Sequence, residues 1–229
     1  LRRPFSYGYL MKHGVEPSDL NDRKIVYFPL HLEPEVALLS VSPEFNNSME
    51  AIAWISKSLP VDTILVVKEQ PVSLGIRSKH YYDNLRRIGN VHLAKPTTHP
   101  WDWIKASVFT ATITGTAGIE SLYLGKPCLS LGKHQLINEL PTVRYANNFE
   151  SVKQSIQELL AFDPNDKIFG LCQFAMHKAQ IETSFGYDPD QFSESATEER
   201  DKFTELKPQF AKQAVDNLYR LYPGLFLRA

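Results

Sequence analysis

From Lys24 onward, short runs rich in β-forming residues alternate with longer stretches that suit helices. This alternation limits the fold more than any other feature, because it is typical of parallel sheets whose strands are joined by crossover helices. The run TILVVKE is apolar along most of its length, as expected of a central strand covered on both faces. We predict strands at 24–30, 63–69, 91–94, 108–113 and 128–132, and helices at 47–58, 78–88, 101–106, 118–124 and 149–162.

The chain divides into three parts on this interpretation. Residues 1–23 are an N-terminal linker segment, and residues 24–162 form an α/β domain with a doubly wound parallel sheet. Residues 163–229 form a helical C-terminal extension, in which LCQFAMHKAQI and FAKQAVDNLYRLY have helical apolar periodicity and the polar stretch between them predicts a mobile loop or lid. Because the chain begins with Leu1 rather than Met, we expect it to be part of a longer protein.

Charge and hydropathy disfavour two kinds of partner. The 25 basic and 26 acidic residues leave a net charge of −1, which gives no broad positive field to attract nucleic acid. No apolar run reaches the roughly 18 residues that cross a bilayer, and the first residues lack the apolar region of a signal peptide. We therefore expect a cytoplasmic protein without a transmembrane segment, in which Cys128 and Cys172 are buried free thiols.

The segment TITGTAGIES, from Thr112 to Ser121, is the most informative about chemistry. A strand ends there in hydroxyl and glycine residues that lead directly into a helix. Glycine lets a phosphate approach the backbone, and free N–H groups at a helix start favour an anion. Glu120 falls one turn into the helix, where its carboxylate can accept hydrogen bonds from ribose hydroxyls. The structural alternative is a tight turn in which Glu120 is only a favourable first-turn charge. The candidate substrate-binding residues are Thr114, Gly115, Thr116, Ala117, Gly118, Glu120 and Ser121.

This segment, with the Leu-Gly-Lys-Pro turn at 124–127, resembles the C-terminal domain of GT-B glycosyltransferases and of the related UDP-N-acetylglucosamine 2-epimerases. Upstream, YFPLHLEPEVALL and ILVVKEQP resemble segments of bacterial capsule and surface polysaccharide biosynthesis proteins, a GT-B-like group that includes transferases of 3-deoxy-manno-octulosonic acid. The similarity spans about Lys24 to Lys133. It implies a Rossmann-like domain that is one half of a GT-B fold.

The resemblance also implies where further site residues lie. His31 follows the first strand, in a loop that faces the cleft between domains in this group, so we expect it to contact the donor phosphate or to assist proton transfer. Lys68 and Glu69 end the central strand, where open α/β sheets place ligand contacts, and we assign catalysis to His31 and Lys68. The structural alternatives are a surface histidine and a solvated strand end.

One position departs from the group, and three more residues complete the predicted site. Gln70 stands where the group usually has His, which removes a titrating imidazole but leaves a side chain able to bind substrate through hydrogen bonds. The remaining substrate-binding candidates, at the edge of the cleft, are His99, Lys133 and His134.

The resemblance predicts a glycosyltransferase of bacterial capsule or surface polysaccharide biosynthesis, placed in the cytoplasm or at the periphery of the inner membrane. The chain would bind a CMP- or UDP-sugar, with CMP favoured, for transfer to a glycan or a lipid-linked acceptor. An N-terminal GT-B partner domain, absent from this chain, would complete the enzyme. Two alternatives stay open: an enzyme like the UDP-N-acetylglucosamine 2-epimerases, and a non-catalytic scaffold domain of a polysaccharide assembly.

Neither a metal nor another cofactor is expected. The seven histidines form no HxH, HxxxH or HExxH pattern with a carboxylate partner on one helix. The sequence Asp188-Pro189-Asp190 is similar to the DxD of metal-dependent transferases of the other major glycosyltransferase fold, but it lies in a polar stretch with no strand before it. We therefore treat this match as chance and predict metal-independent transfer.

Overall fold

The computed structural model contains one six-stranded parallel sheet with the strand order β3-β2-β1-β4-β5-β6. From β1 the chain builds outward to β3 and then returns to the other side of β1 with β4, which confirms the Rossmann-like, doubly wound α/β fold. The structure describes residues 2–20, 22–33, 38, 42, 45, 47–133, 135–163 and 166–183. The strands are β1 (Lys24–Pro29), β2 (Thr63–Lys68), β3 (Val91–Leu93), β4 (Phe109–Thr112), β5 (Cys128–Ser130) and β6 (Val143–Tyr145).

The helices of the α/β part begin and end within two residues of their predicted bounds. Capping explains several of these ends, because the side chain of Asn47 accepts a hydrogen bond from the Glu50 amide and Asn148 forms a capping box with Ser151. The helices are α1 (Arg2–His13), α2 (Ser48–Ser58), α3 (Lys79–Arg86), α4 (Pro100–Ala106), α5 (Ala117–Tyr123), α6 (Phe149–Leu160) and α7 (Asp166–Thr183).

The sheet is covered on both faces, as its apolar strands require. On one face, Val26 and Phe28 of β1 belong to a cluster that also contains side chains of α1, α2, α3 and α6. On the other face, Ile25 and Tyr27 pack with Trp103 of α4. Alternate residues of one strand therefore serve two cores, which is the usual consequence of the two-residue period of a strand.

The sixth strand was not predicted from the sequence. β6 contains only three residues, and Arg144 at its centre interrupts the apolar pattern that marks the other strands. It pairs in parallel with β5, and only Val143 of its residues is buried. A strand this short at the edge of a sheet carries too little pattern for detection.

The N-terminal segment differs from the linker predicted for residues 1–23. Residues 2–13 form α1, and its Tyr9 and Leu10 are buried in the same core as α3. After the helix, Val15 forms an isolated parallel bridge with Ala94, next to β3. The segment folds onto the sheet because these apolar side chains lose contact with water there. One compact unit accordingly spans Leu1–Gln173.

The C-terminal extension is described in part. The helix α7 begins near the predicted start of the extension and contains the stretch LCQFAMHKAQI. A second compact unit spans Phe174–Ala229, of which residues 174–183 are described. The predicted lid segment, the stretch FAKQAVDNLYRLY and the Asp188-Pro189-Asp190 sequence lie outside the described residues.

Two expectations from composition can be compared with the structure. Cys128 and Cys172 are buried free thiols, as predicted. Among the described residues, no helix combines the length and apolar character that a bilayer crossing requires.

The packing of α1 depends on Gly14, which lies close to backbone atoms of other residues. A Cβ atom added to Gly14 would lie 2.5 Å from the Leu10 carbonyl oxygen and 2.8 Å from the Lys95 amide nitrogen. We expect Gly14→Ala to lower the free energy of unfolding by about 1–3 kcal/mol, because backbone atoms must move apart. Gly8→Ala is the matched control, since its Cβ would meet nothing within 4 Å, and it should raise stability by about 0.5–1 kcal/mol as a mid-helix glycine replacement. Urea denaturation measures both, and an unchanged Gly14→Ala protein would contradict this explanation.

Candidate functional site

A pocket of about 190 Å³ opens at the carboxyl ends of β1, β2 and β4. The strand order reverses between β1 and β4, and open α/β sheets bind their ligands at this kind of switch point. Side chains from four separate loops meet there because parallel strands end at the same edge. The lining residues are Tyr27, Pro29, His31, Lys68, Glu69, Gln70, Pro71, Pro100, Gly115, Thr116, Ala117 and Glu120.

A buried arginine ties two of these loops together. Nη1 of Arg77 donates to Oε1 of Glu69 at 2.7 Å, and Nη2 donates to the carbonyl oxygen of His31. Glu33 lies 3.4 Å from Nη2, and the guanidinium stands over the ring of Tyr81 at 5.1 Å. Both the loop after β1 and the end of β2 are thus fixed by one cation. Arg77 was not among the residues predicted from the sequence, because a single arginine in the stretch IRSKH carries no signal of burial.

Most of the hydrogen-bond acceptor positions of Glu69 are occupied by groups of the protein itself. Its Oε1 accepts from Arg77 and from the Gln70 amide at 3.0 Å, and its Oε2 accepts from the Tyr82 hydroxyl at 2.8 Å. Burial and the neighbouring carboxylate raise the pKa of Tyr82, so its hydroxyl keeps the proton that it donates. Glu69 therefore supports the pocket wall, and the alternative of a solvated strand end is wrong for it.

Lys68 is also buried, although it was weighed as a solvated strand end. Its Nζ donates to the Pro96 carbonyl oxygen at 3.3 Å. Burial lowers the pKa of Lys68, and the adjacent Glu69 opposes this shift. An ammonium group has three donors, so Lys68 can offer further hydrogen bonds to an anion in the pocket.

His31 clamps the turn that follows β4. Its Nε2 accepts from the backbone amides of Ile113 and Thr114, both at 3.1 Å. Burial lowers the pKa of His31 to about 4, with Glu33 opposing and Arg77 assisting the shift. A neutral imidazole whose Nε2 accepts must carry its proton on Nδ1, so Nδ1–H is the donor left for a ligand. The alternative of a polar surface histidine is wrong, since the side chain is buried.

The turn after β4 is stabilised by hydrogen bonds of short side chains and by the close approach that Gly115 allows. The Gly115 amide donates to Oγ1 of Thr112 at 3.0 Å. A Cβ on residue 115 would lie 3.0 Å from Cε1 of His31, so glycine allows the imidazole to approach the turn this closely. The hydroxyl of Thr116 donates to Oε1 of Glu120 at 2.8 Å, across one turn of α5.

Glu120 is oriented from both sides and still has accepting capacity. Its Oε2 accepts from Nε1 of Trp101, in α4, at 3.0 Å, while its Oε1 accepts from Thr116. A carboxylate has about four acceptor sites, so two hydrogen bonds leave room for two more. The side chain is partly exposed and lines the pocket, as a ligand contact requires.

The structure brings together eight of the predicted site residues and leaves five other described ones outside the lining. Gly118 and Ser121 are buried on the opposite side of α5, where Gly118 faces Ile137 and Cys128, and neither is among the pocket-lining residues. Thr114 contributes its amide to His31 without lining the pocket. His99 caps α4 by accepting from the Trp101 amide at 3.2 Å, and Lys133 is exposed. His134 lies outside the described residues.

No metal centre can be assembled from the part of the chain that is described. There, no three side chains of His, Cys, Asp or Glu are grouped so that they could hold a metal ion. The expectation of metal-independent chemistry stays a prediction.

Comparison with solved structures identifies the class of fold and individual proteins that share it. The class is the Rossmann-like α/β fold, which solved neighbours share over part of their own length. UDP-GlcNAc 2-epimerase from Methanocaldococcus jannaschii matches with a TM-score of 0.51 and 14% identity over 77% of this chain and 48% of its own. The beta Kdo 2,7 transferase KpsC of Thermosulfurimonas dismutans matches at 0.45 and 16%, over 66% and 49%. UDP-GlcNAc 2-epimerase from Neisseria meningitidis, bound to UDP-GlcNAc, matches at 0.44 and 19%, over 65% and 39%.

The likeness to the M. jannaschii protein supports the fold alone, because the sequence identity is low. The chain spans less than half the length of each of the three neighbours. No protein-family model and no curated protein matches the sequence.

The Arg77 network should be essential for stability. Arg77→Met leaves Glu69 buried without its cation, and removal of one partner from a buried ion pair costs about 3–5 kcal/mol. Lys79→Met is the matched control, because the Lys79–Asp83 pair is an exposed i,i+4 pair that contributes about 0.5 kcal/mol. Urea denaturation at pH 7 compares them. Equal losses of stability in the two variants would refute the role given to Arg77.

His31 should make stability depend on pH. Its pKa is about 4 in the folded protein against an ordinary value of 6.5, so the unfolded chain binds more protons between these values. The contribution of His31 to the free energy of unfolding is complete above pH 6.5. It decreases as the pH falls toward 4, by about 3 kcal/mol at most. His31→Gln keeps an acceptor but cannot titrate, so its unfolding free energy should fall less steeply over pH 6.5–4. His80→Gln, at an exposed position, should retain the wild-type slope, and the same slope in all three proteins would disprove the assignment.

Proposed function

We propose that this chain is the donor-binding part of a metal-independent glycosyltransferase that uses a sugar nucleotide. The observation that carries the proposal is the convergence of Lys68, His31, Gly115 and Glu120 in one pocket at the switch point of the sheet. This pocket combines cationic and neutral donors with a carboxylate acceptor, which matches the two polar parts of a nucleotide. In this proposal Glu120 binds the ribose, and Lys68, His31 and Gly115 bind the phosphates.

The ribose assignment rests on the two fixed oxygens of Glu120. Thr116 and Trp101 hold the carboxylate in one orientation, so its free acceptor positions point in defined directions. The adjacent 2′- and 3′-hydroxyls of a ribose are two donors that fit one carboxylate. A nucleotide would then lie between α5 and the end of β1.

The phosphate assignment rests on the donors next to Gly115. Lys68 offers a buried ammonium, His31 its Nδ1–H, and Gly115 a backbone without a side chain that would block approach. Hydrogen-bond donors fixed before the reaction stabilise charge that develops on a leaving group, and their effect is strong where water is excluded. Gln70 adds a neutral side chain at the same wall.

In the proposed reaction the bond between the sugar C1 and the phosphate oxygen breaks, and a bond from C1 to an acceptor hydroxyl oxygen forms. The acceptor proton passes to a base, and the nucleotide departs with the electron pair of the broken bond. Lys68 and His31 would stabilise that departing charge. The base, the acceptor site and part of the cleft would come from a second domain, in keeping with the M. jannaschii neighbour, of whose length this chain covers 48%.

The identity of the donor is proposed as a CMP- or UDP-sugar. The sequence resemblance to capsule and surface polysaccharide proteins favours CMP and suggests a glycan or lipid-linked acceptor in the bacterial cytoplasm. The fold likeness to the M. jannaschii protein, an epimerase that acts on UDP-GlcNAc, favours UDP. Both nucleotides therefore belong in the test.

That likeness also supports a second candidate, a UDP-sugar 2-epimerase. Such an enzyme needs an acid and a base near the sugar. Among the described residues that line the pocket, the carboxylates are Glu69 and Glu120, and both accept hydrogen bonds from the protein. This arrangement favours transfer over epimerisation for this half. Product analysis of the full-length protein with UDP-GlcNAc distinguishes free UDP and a glycoside from a 2-epimer.

Calorimetry with the chain tests the proposal. We expect binding of UDP or CMP, and Glu120→Gln should weaken it by about tenfold or more, since hydrogen bonds to a charged group contribute about 1.5–3 kcal/mol. Glu50→Gln, also in the first turn of a helix, is the matched control and should bind normally. The 2′-deoxynucleotide should bind the wild-type protein more weakly than the ribonucleotide does. In Glu120→Gln, removal of the 2′-hydroxyl should cause a smaller loss of affinity. Lys68→Met should lose affinity for UDP but keep that for uridine.

Three results would count against the proposal. If neither these nucleotides nor GDP bound, the chain would be better explained as a scaffold domain. Unchanged affinity in Glu120→Gln would reject the ribose assignment. Equal weakening of UDP and uridine binding in Lys68→Met would reject the phosphate assignment.

A further inference from the structure

A second groove, between α1 and α3, shares no lining residue with the pocket at the switch point. Its volume is about 540 Å³, within the range of about 300–1,000 Å³ that small-molecule sites occupy. The residue Gly8 in its wall bears no side chain, and an added Cβ would meet nothing within 4 Å. The groove is therefore open to a ligand.

Cations line the groove from both helices. The cations are Lys12, from the end of α1, and Lys79 and Arg86, from the two ends of α3, and His13 lines the groove beside Lys12. Asp83 is the one carboxylate among the described lining residues, and it pairs with Lys79 at 2.7 Å. The charges of Lys12 and Arg86 are left in excess.

The floor of the groove holds these charged groups in place. The hydroxyl of Tyr9 donates to Asp83 and accepts from Nη1 of Arg86 at 3.3 Å. Nζ of Lys79 lies 5.4 Å from the centre of the Tyr9 ring, and the His13 ring lies 4.5 Å from it. Lys79 and Arg86 are therefore arranged around one aromatic side chain, and both remain accessible to a ligand from solvent.

His13, which also lines the groove, is affected both by burial and by the positive charges around it. Burial and then the charges of Arg86 and Lys12 lower the pKa of His13, with Lys79 assisting and Asp83 opposing. A bound anion would relieve this repulsion. On the side near the start of α1, Phe5 is 55% exposed and forms an apolar wall.

We propose that this groove binds the phosphate group of an organic phosphate ester, with Lys12 and Arg86 at the phosphate and Phe5 against an apolar part of the ligand. A phosphate ester carries up to two negative charges and three acceptor oxygens, so it can use cations from two helices at once. A carboxylate would use fewer of them. The source of the phosphate is either a lipid headgroup or a soluble ester.

Two binding assays with the intact chain distinguish these sources. The first measures co-sedimentation with phosphatidylcholine vesicles that contain or lack phosphatidylglycerol. The second measures calorimetric titration with glycerol 3-phosphate and phenyl phosphate. Binding only to the anionic vesicles identifies a lipid headgroup, and binding of the soluble esters identifies a free phosphate ester. Either result supports the site.

Variants connect the binding to the groove. Each Lys or Arg near an anionic surface contributes about 1 kcal/mol, or about fivefold, so Lys12→Gln/Arg86→Gln should bind about 25-fold more weakly. Lys57→Gln/Lys153→Gln removes the same charge from α2 and α6 and should bind normally. Phe5→Ser should weaken binding of phenyl phosphate or of vesicles and leave glycerol 3-phosphate unaffected. All substituted residues are exposed, and thermal unfolding confirms that the variants fold.

The proposal would be overturned if no phosphate probe bound in either assay. It would also be overturned if the Lys12/Arg86 and Lys57/Lys153 variants lost affinity equally, since binding would then reflect overall charge. Neither outcome affects the sugar-nucleotide pocket, because the two sites share no residue.

Discussion

The buried guanidinium of Arg77 is the interaction on which the geometry of the pocket depends. It joins the carboxylate of Glu69, at the end of β2, to the backbone carbonyl of His31, after β1. Two loops from adjacent strands are thereby held at a fixed separation, although neither has regular structure of its own. A buried charge is tolerated only when its partners are supplied, so the loops cannot move apart without exposing the cation and its carboxylate to an apolar interior.

His31 extends this constraint to the next strand of the pocket. Its carbonyl is held by Arg77 and its imidazole holds the amides of Ile113 and Thr114, so β1, β2 and β4 are connected through one residue. The low pKa keeps the ring neutral, which fixes its tautomer and the direction of its remaining donor. The site is therefore organised without any ligand, as the proposed stabilisation of a leaving group requires.

The sequence predicted the sheet well because its strands carry strong local patterns, as in the apolar run of β2. It also placed Gly115 after the end of a strand and Glu120 one turn into the next helix, and both residues line the pocket. It could not separate the two faces of α5, where Thr116 and Glu120 face the pocket while Gly118 and Ser121 face the core. Helical spacing contains this distinction, but a helix of seven residues gives little periodicity to read. Arg77 was missed because its burial depends on partners 8 and 46 residues away.

The contact of Val15 with β3 has a consequence for association between molecules. A strand at the margin of a sheet presents unpaired backbone groups that can recruit a strand from another chain. Here the Val15 amide donates to the Leu93 carbonyl oxygen and the Lys95 amide donates to that of Val15, both within 3.0 Å. The opposite margin is formed by the three residues of β6, with the charged Arg144 bonded to Glu158. Both margins are thus poor templates for strand pairing between molecules.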